Sequence, residues 1–119
     1  MKRIQLTLIA LLAITCLLSA QPPQALKYKA VAKNDWGIAL PHKDVSLRFT
    51  ILQDNIEVFQ EIHYIQTNQF GMMNANVGEG IPQMGTFSDI DWSIGVFTLK
   101  VELDPRGQNH FSLRGEERL

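Results

Sequence analysis

Two segments of this chain alternate apolar and polar residues with a period of two. The apolar positions are Val45, Leu47, Phe49 and Ile51 in the first segment, and Phe97, Leu99, Val101 and Leu103 in the second. Ser, Thr, Arg, Lys or Glu stands at the positions between them. Because successive side chains of a strand point to opposite faces, the pattern predicts two strands, each with one buried and one wet face.

Residues 28–33 and 73–77 show weaker versions of the same pattern. Tyr28, Ala30 and Ala32 share one face of the first, and Met73, Ala75 and Val77 share one face of the second. These faces are smaller than those of the two clear strands. We expect two thinner strands that lie nearer a sheet edge.

Residues 54–66 fit either a helix or a strand. Asp54 and Glu57 have the spacing of a helix-capping pair, and Ile56, Phe59, Ile62 and His63 would share one helical face. The run is nevertheless rich in Ile, Val, Phe and Tyr, which favour strands, and it follows closely after the strand at 45–51. We therefore predict a strand, with residues 53–56 as the hairpin connection.

Turn residues separate these segments at regular intervals. Residues 34–37 (NDWG), 67–71 (TNQFG) and 104–107 (DPRG) each combine an Asn or Asp that starts a turn with a Gly that accepts positive φ. Short strands at this spacing indicate an antiparallel sandwich or barrel. We predict an all-β antiparallel β-sandwich, immunoglobulin-like or transthyretin-like, of six to seven strands, over residues 27–112.

The first 20 residues have the composition of a secretory signal peptide. Lys2 and Arg3 precede an apolar run from residue 4 to 18, and Ser19 and Ala20 are the small residues that a signal peptidase requires. A membrane anchor is the alternative, but the run is shorter than the roughly 20 residues of a spanning helix. We expect a signal-peptide helix at 1–20, an extended lead at 21–26, and export to the cell surface or medium, with the periplasm as the alternative.

Removal of this segment changes the composition that matters for function. Nine basic residues then remain against twelve acidic ones, a net charge of −3, and the single cysteine, Cys16, is lost. The acidic balance excludes a general affinity for nucleic acid. The loss of Cys16 excludes disulfides, a thiolate nucleophile and zinc–thiolate sites from the mature chain, and no membrane span would remain.

Candidate chemical sites are few. Asp89 and Asp91 have the i, i+2 spacing of a calcium loop, although the further carboxylates and the glycine of such a loop are missing. Glu57 and Glu61 could form an acid/base pair, but solvated surface charge is the better interpretation. The histidines His42, His63 and His110 lack metal-ligand spacing. We therefore expect no catalytic residue, no metal and no cofactor.

Trp36 and Trp92 are the candidate contact residues, together with Asp89 and Asp91. Each tryptophan lies next to a turn, where it could stack on a sugar ring or contact a partner protein. Trp92 has Ile90 and Ile94 as neighbours, which favours a role at the end of the core. For Trp36 the sequence favours neither exposure nor burial.

Five segments of the chain resemble a known family. Their sequences are PQALKYxAVA (23–32), VSLRxxILQ (45–53), TNxxG (67–71), GxFSxIDW (85–92) and LKVELDP (99–105). In this order they resemble the N-terminal domain of exported, cell-surface proteins of Bacteroidetes-type bacteria, in which the domain precedes fibre-like or other modular regions. The resemblance implies a structural or display module without catalytic residues.

The resemblance also raises an expectation about the end of the chain. Members of the family usually continue into another apolar strand, whereas residues 113–119 would form a truncated tail here. A missing strand would leave a sheet edge open to a donated strand.

Two function hypotheses remain. The first is a non-enzymatic structural, adhesion or display module of a larger envelope protein, with other surface or envelope proteins as partners. The second is a small secreted carbohydrate-binding domain that uses Trp36 or Trp92 as a stacking platform.

Overall fold

The computed structural model describes residues 25–119. The predicted signal peptide and the residues of the extended lead up to 24 lie outside the described residues. The described part folds into seven strands and one short 3₁₀ helix, in the order β1 (Leu26–Val31), β2 (Asp44–Gln53), β3 (Ile56–Gln66), β4 (Met72–Val77), β5 (Ile81–Met84), the 3₁₀ helix Phe87–Asp89, β6 (Phe97–Asp104) and β7 (Ser112–Arg118).

The strands form two antiparallel sheets. The larger sheet has the order β5-β3-β2-β6-β7, and the smaller one pairs β1 with β4. The predicted all-β antiparallel architecture is confirmed. Strands β2 and β6 coincide with the two clearest alternating segments, and β1 and β4, predicted as thinner strands near an edge, make up the two-stranded sheet.

The core lies between the two sheets. Alternate residues of β2 and β6 face it, and β4 contributes its own alternate residues from the other side. The buried apolar side chains are Ala32, Val45, Leu47, Phe49, Ile51, Phe59, Met73, Ala75, Val77, Phe87, Phe97, Leu99, Val101 and Leu103. Their burial is the main favourable term in the stability of the fold, since no disulfide lies in the described chain.

Strand β3 occupies residues 56–66 of the segment for which the sequence allowed either a helix or a strand, and the predicted strand is confirmed. Asp54 and Asn55 connect β2 to β3, and both have positive φ, 52° and 67°. A two-residue connection with this backbone is the type I′ turn that matches the right-handed twist of paired strands. The helical alternative for these residues is thereby excluded.

A β-bulge in β3 changes which residues face the core. Ile51 pairs with Phe59 and Leu52 pairs with Glu57, so that Val58 is the extra residue. Beyond the bulge Glu61 lies directly opposite Phe49, on the core side of the sheet. Because side chains alternate between faces, the extra residue places Glu57 and Glu61 on opposite faces, although four residues separate them in sequence.

The two edge strands of the larger sheet were not predicted. β5 is four residues long, contains Pro82 and pairs with β3, whereas β7 pairs with β6 along almost its whole length. Residues 113–119, expected to form a tail outside the domain, are therefore mostly strand. All residues of β7 are exposed, so that neither face shows the apolar alternation that identifies a strand in sequence.

Candidate functional site

Two five-residue loops at one end of the sandwich share the same sequence pattern and backbone bonding. Residues 34–38 (NDWGI) form the Trp36 loop, and residues 68–72 (NQFGM) form the Phe70 loop. Each has the pattern Asn, any residue, aromatic, Gly, aliphatic. Together the two loops form the aromatic loop pair.

Asn34 organises the Trp36 loop. Its Oδ1 accepts hydrogen bonds from the amides of Trp36, at 2.9 Å, and Ile38, at 3.0 Å. Its carbonyl oxygen accepts from the Gly37 amide at 3.0 Å, and its own amide donates to the Ile38 carbonyl at 2.9 Å. Gly37 has φ of 78°, which glycine adopts without the cost that a Cβ would bring.

The Phe70 loop repeats every one of these bonds. Asn68 Oδ1 accepts from the amides of Phe70, at 2.8 Å, and Met72, at 2.9 Å. The Asn68 carbonyl accepts from the Gly71 amide at 3.0 Å, and the Asn68 amide donates to the Met72 carbonyl at 3.1 Å. Gly71 has φ of 79°. Four bonds in five residues hold each aromatic residue at a loop tip.

Hydrogen bonds join the bases of the two loops. The Ala32 amide donates to the Gly71 carbonyl at 2.8 Å, and the buried Thr67 uses its Oγ1 to donate to the Leu40 carbonyl and to accept from the Lys43 amide. The Leu40 amide in turn donates to the Ala32 carbonyl at 2.9 Å, which closes the base of the Trp36 loop. The aromatic loop pair is therefore one connected unit.

The tips of this unit are apolar and exposed. Trp36 is 85% exposed, Phe70 65% and Ile38 61%. Val31 and Met72, which pair across the end of the small sheet, are also exposed. Large apolar side chains that gather at one place on a surface mark an interaction site more often than isolated ones do.

The two candidate tryptophans have different environments. Trp36 is exposed at its loop tip. Trp92 is half-buried, and its ring packs against those of Phe97 and Phe87, with centroid distances of 4.8 and 5.7 Å. Trp92 thus closes the end of the core, as its apolar neighbours favour, and only Trp36 offers a free ring face for stacking.

Asp89 and Asp91 are both exposed. Asp91 Oδ1 accepts hydrogen bonds from the hydroxyl and the amide of Ser93, and these bonds, that of the hydroxyl first, lower the pKa of the Asp91 carboxyl. Both aspartates border the same shallow depression. Within residues 25–119, no three His, Cys, Asp or Glu side chains gather closely enough to hold a metal ion.

Glu61 differs from its sequence interpretation. Glu57 is exposed and pairs with Lys100 at 3.5 Å, but Glu61 is only 1% exposed. The interpretation as solvated surface charge is therefore wrong for Glu61, because the bulge at Val58 turns it toward the core. The same bulge separates the two carboxylates onto opposite faces, so that they form no acid/base pair.

The buried Glu61 carboxylate holds the turn between β4 and β5. It accepts hydrogen bonds from the amides of Gly78, at 2.8 Å, and Gly80, at 3.2 Å, and it contacts His63 Nε2. A Cβ on Gly80 would lie 2.6 Å from that His63 atom. The sequence analysis missed this contact between Glu61 and the turn. The Gly-x-Gly at 78–80 is the signal that could have revealed it, since two glycines allow backbone amides to approach an acceptor closely.

Asp104 has a similar structural role in the predicted turn at 104–107. It is 2% exposed and accepts from the amides of Arg106, Gln108 and His110 at 2.9, 2.6 and 3.0 Å. Burial raises the pKa of its carboxyl, but the three amide bonds outweigh burial, so that the pKa is lowered. Both buried carboxylates thus use their oxygens to hold backbone turns.

Comparisons of the chain with protein-family models, with curated proteins and with solved structures found no match. In residues 25–119 the chain has no helix long and apolar enough to cross a membrane.

Proposed function

We propose that this chain is a non-enzymatic exported module of the cell surface, which attaches a larger envelope protein to a partner through the aromatic loop pair. The observation that carries the proposal is the rigid display of Trp36 and Phe70 on two loops with the same bonding. Aromatic side chains supply most of the binding energy in many interfaces. A contact that is already ordered loses little conformational entropy when it binds.

The placement of the other polar groups agrees with a binding role. The carboxylates of Glu61 and Asp104 accept bonds from backbone amides, and that of Glu102 accepts two bonds from Arg48. Groups held in this way maintain the scaffold that positions the loops. Other envelope proteins are the partners we propose, and β7 exposes a free edge at which such a partner could add a strand.

The test is the binding of the purified, fluorescently labelled protein to envelope fractions of the cells that export it. The variant Trp36→Ala/Phe70→Ala should lose at least about tenfold in affinity, since two anchor side chains are removed. The control is Ile56→Ala/Ile94→Ala, which removes two exposed apolar side chains at the opposite end of β2. Equal binding by the two double variants would contradict the proposal.

Carbohydrate binding is the second candidate, favoured by the exposed ring of Trp36. A sugar that stacks on this ring should change the fluorescence of Trp36 and leave that of the packed Trp92 unaltered. Titration with a panel of neutral and acidic polysaccharides, repeated on Trp36→Phe, separates the two signals. If no polysaccharide changes the emission of the wild-type protein, this candidate fails.

A further inference from the structure

The outward face of the small sheet carries two lysines and two asparagines in register. Lys27 pairs with Asn76 and Lys29 pairs with Asn74 across β1 and β4. All four are exposed, whereas the intervening residues of both strands face the core. These four residues are called the lysine–asparagine block, and they border a shallow groove of about 320 Å³.

The two lysines are not neutralised within the described part of the chain. The ion pairs found in residues 25–119 are Arg48–Glu102 and Lys100–Glu57, and a further contact joins Glu61 to His63; none of the three includes Lys27 or Lys29. The carboxylate that contacts the block is that of Glu79, which accepts from Asn76 Nδ2 at 3.0 Å. A local positive charge on a chain of net negative charge therefore faces solvent beside amide groups.

We propose that the lysine–asparagine block binds an anionic polysaccharide, such as one built of uronic acids. Outward residues two apart on a strand are separated by about 7 Å, so that the two ammonium groups can contact successive acidic groups of an extended polymer. Ammonium–carboxylate hydrogen bonds are stronger than neutral ones. The asparagine amides both donate and accept, which suits the hydroxyl groups between the charges.

Other polyanions fit this surface less well. An anionic bilayer favours proteins that insert several apolar side chains among the basic ones, whereas the four residues of the block are all polar. The next pair along the same face, Val31 and Met72, is apolar and exposed, so binding to anionic vesicles is the comparison that the test must include. A nucleic acid strand requires many neutralised phosphates, whereas the block offers two lysines on an acidic protein. The proposal is independent of the proposed attachment role, because the block shares no residue with the aromatic loop pair.

The test measures affinity for polygalacturonate fragments by calorimetry. Lys27→Gln/Lys29→Gln should weaken binding about tenfold, and added salt should weaken wild-type binding. Asn74→Ala should weaken it a few-fold, which pure charge attraction would not produce. The matched control is Arg106→Gln/Arg118→Gln, which removes the same charge from exposed positions elsewhere and should bind like the wild type.

Several results would overturn the proposal. These are the absence of polygalacturonate binding, an equal loss in the lysine and arginine variants, and equal or tighter binding of single-stranded DNA or of phosphatidylglycerol-containing vesicles. Urea unfolding of each variant verifies that it is folded. The variant Trp36→Ala/Phe70→Ala should keep its affinity for polygalacturonate, so that failure here and failure of the attachment role are distinguishable.

Discussion

Replacement of Glu61 by alanine tests whether the buried carboxylate stabilises the fold or only tolerates burial. The change removes the acceptor for the amides of Gly78 and Gly80 and leaves His63 without its partner. A hydrogen bond to a charged group contributes roughly 1.5–3 kcal/mol, and Glu61 accepts two such bonds from backbone amides. We expect the free energy of unfolding to fall by about 3–5 kcal/mol.

This loss is large for a domain of this size. At roughly 0.05–0.15 kcal/mol per residue, the described chain has about 5–14 kcal/mol of stability, so that Glu61→Ala should be marginally folded. Glu61→Gln keeps the shape and one acceptor oxygen, and should lose about 1–3 kcal/mol. It provides a folded variant for measurement if the alanine variant does not fold.

Urea unfolding followed by the fluorescence of Trp92, which packs on Phe97 in the core, measures these differences. The control is Glu57→Ala, which removes an exposed carboxylate from the opposite face of the same strand and should cost less than about 1 kcal/mol. If Glu61→Ala and Glu57→Ala have equal unfolding free energies, the structural role assigned to Glu61 is refuted.

Three further predictions concern turns. Gly80→Ala should lower the unfolding free energy by about 1–3 kcal/mol, because its Cβ would meet His63; an unchanged urea midpoint would contradict this. Asn34→Ala and Asn68→Ala should each lose about 1–2 kcal/mol and speed hydrogen exchange in their own loop only; exchange that rises equally in both loops would show that they are not separately capped. The pKa of Asp104 is lower in the folded state than its ordinary value of 3.8, so its stabilising contribution is present above that value and is lost as pH falls through the folded value. Asp104→Asn should therefore be less stable than the wild type at neutral pH, and the difference should shrink in acid; a difference independent of pH would contradict the assignment.

Those parts of the fold that depend on local pattern could be predicted from the sequence. Strands β2 and β6 alternate apolar and polar residues, and this alternation is visible along a single strand. The predicted wet face holds only for β6, because Ser46 and Thr50 on the polar face of the central strand β2 are buried as well. A hairpin connection was predicted at residues 53–56, and the turn forms within it, at Asp54 and Asn55. β7 was missed because both of its faces are exposed and its strand state depends on pairing with β6.

The candidate site also has a part that could be predicted from the sequence and a part that could not. Asn34 with Gly37 and Asn68 with Gly71 are local turn signals, and both turns form where the sequence places them. Their common bonding and their position side by side could not be predicted, because bonds through Ala32 bring together residues more than thirty positions apart in sequence. The exposure of Trp36 was undecided for the same reason.

By itself the sequence determined the strand periodicity, the hairpin and turn positions and the acidic balance, because each depends on neighbours within a few residues. Only the tertiary structure decided that Glu61 is buried, that Trp36 and Phe70 lie on adjoining loops, and that Lys27 and Lys29 face solvent beside two asparagines. The physical reason is that strand pairing and a single bulge set which face each side chain occupies, and both depend on partners distant in sequence.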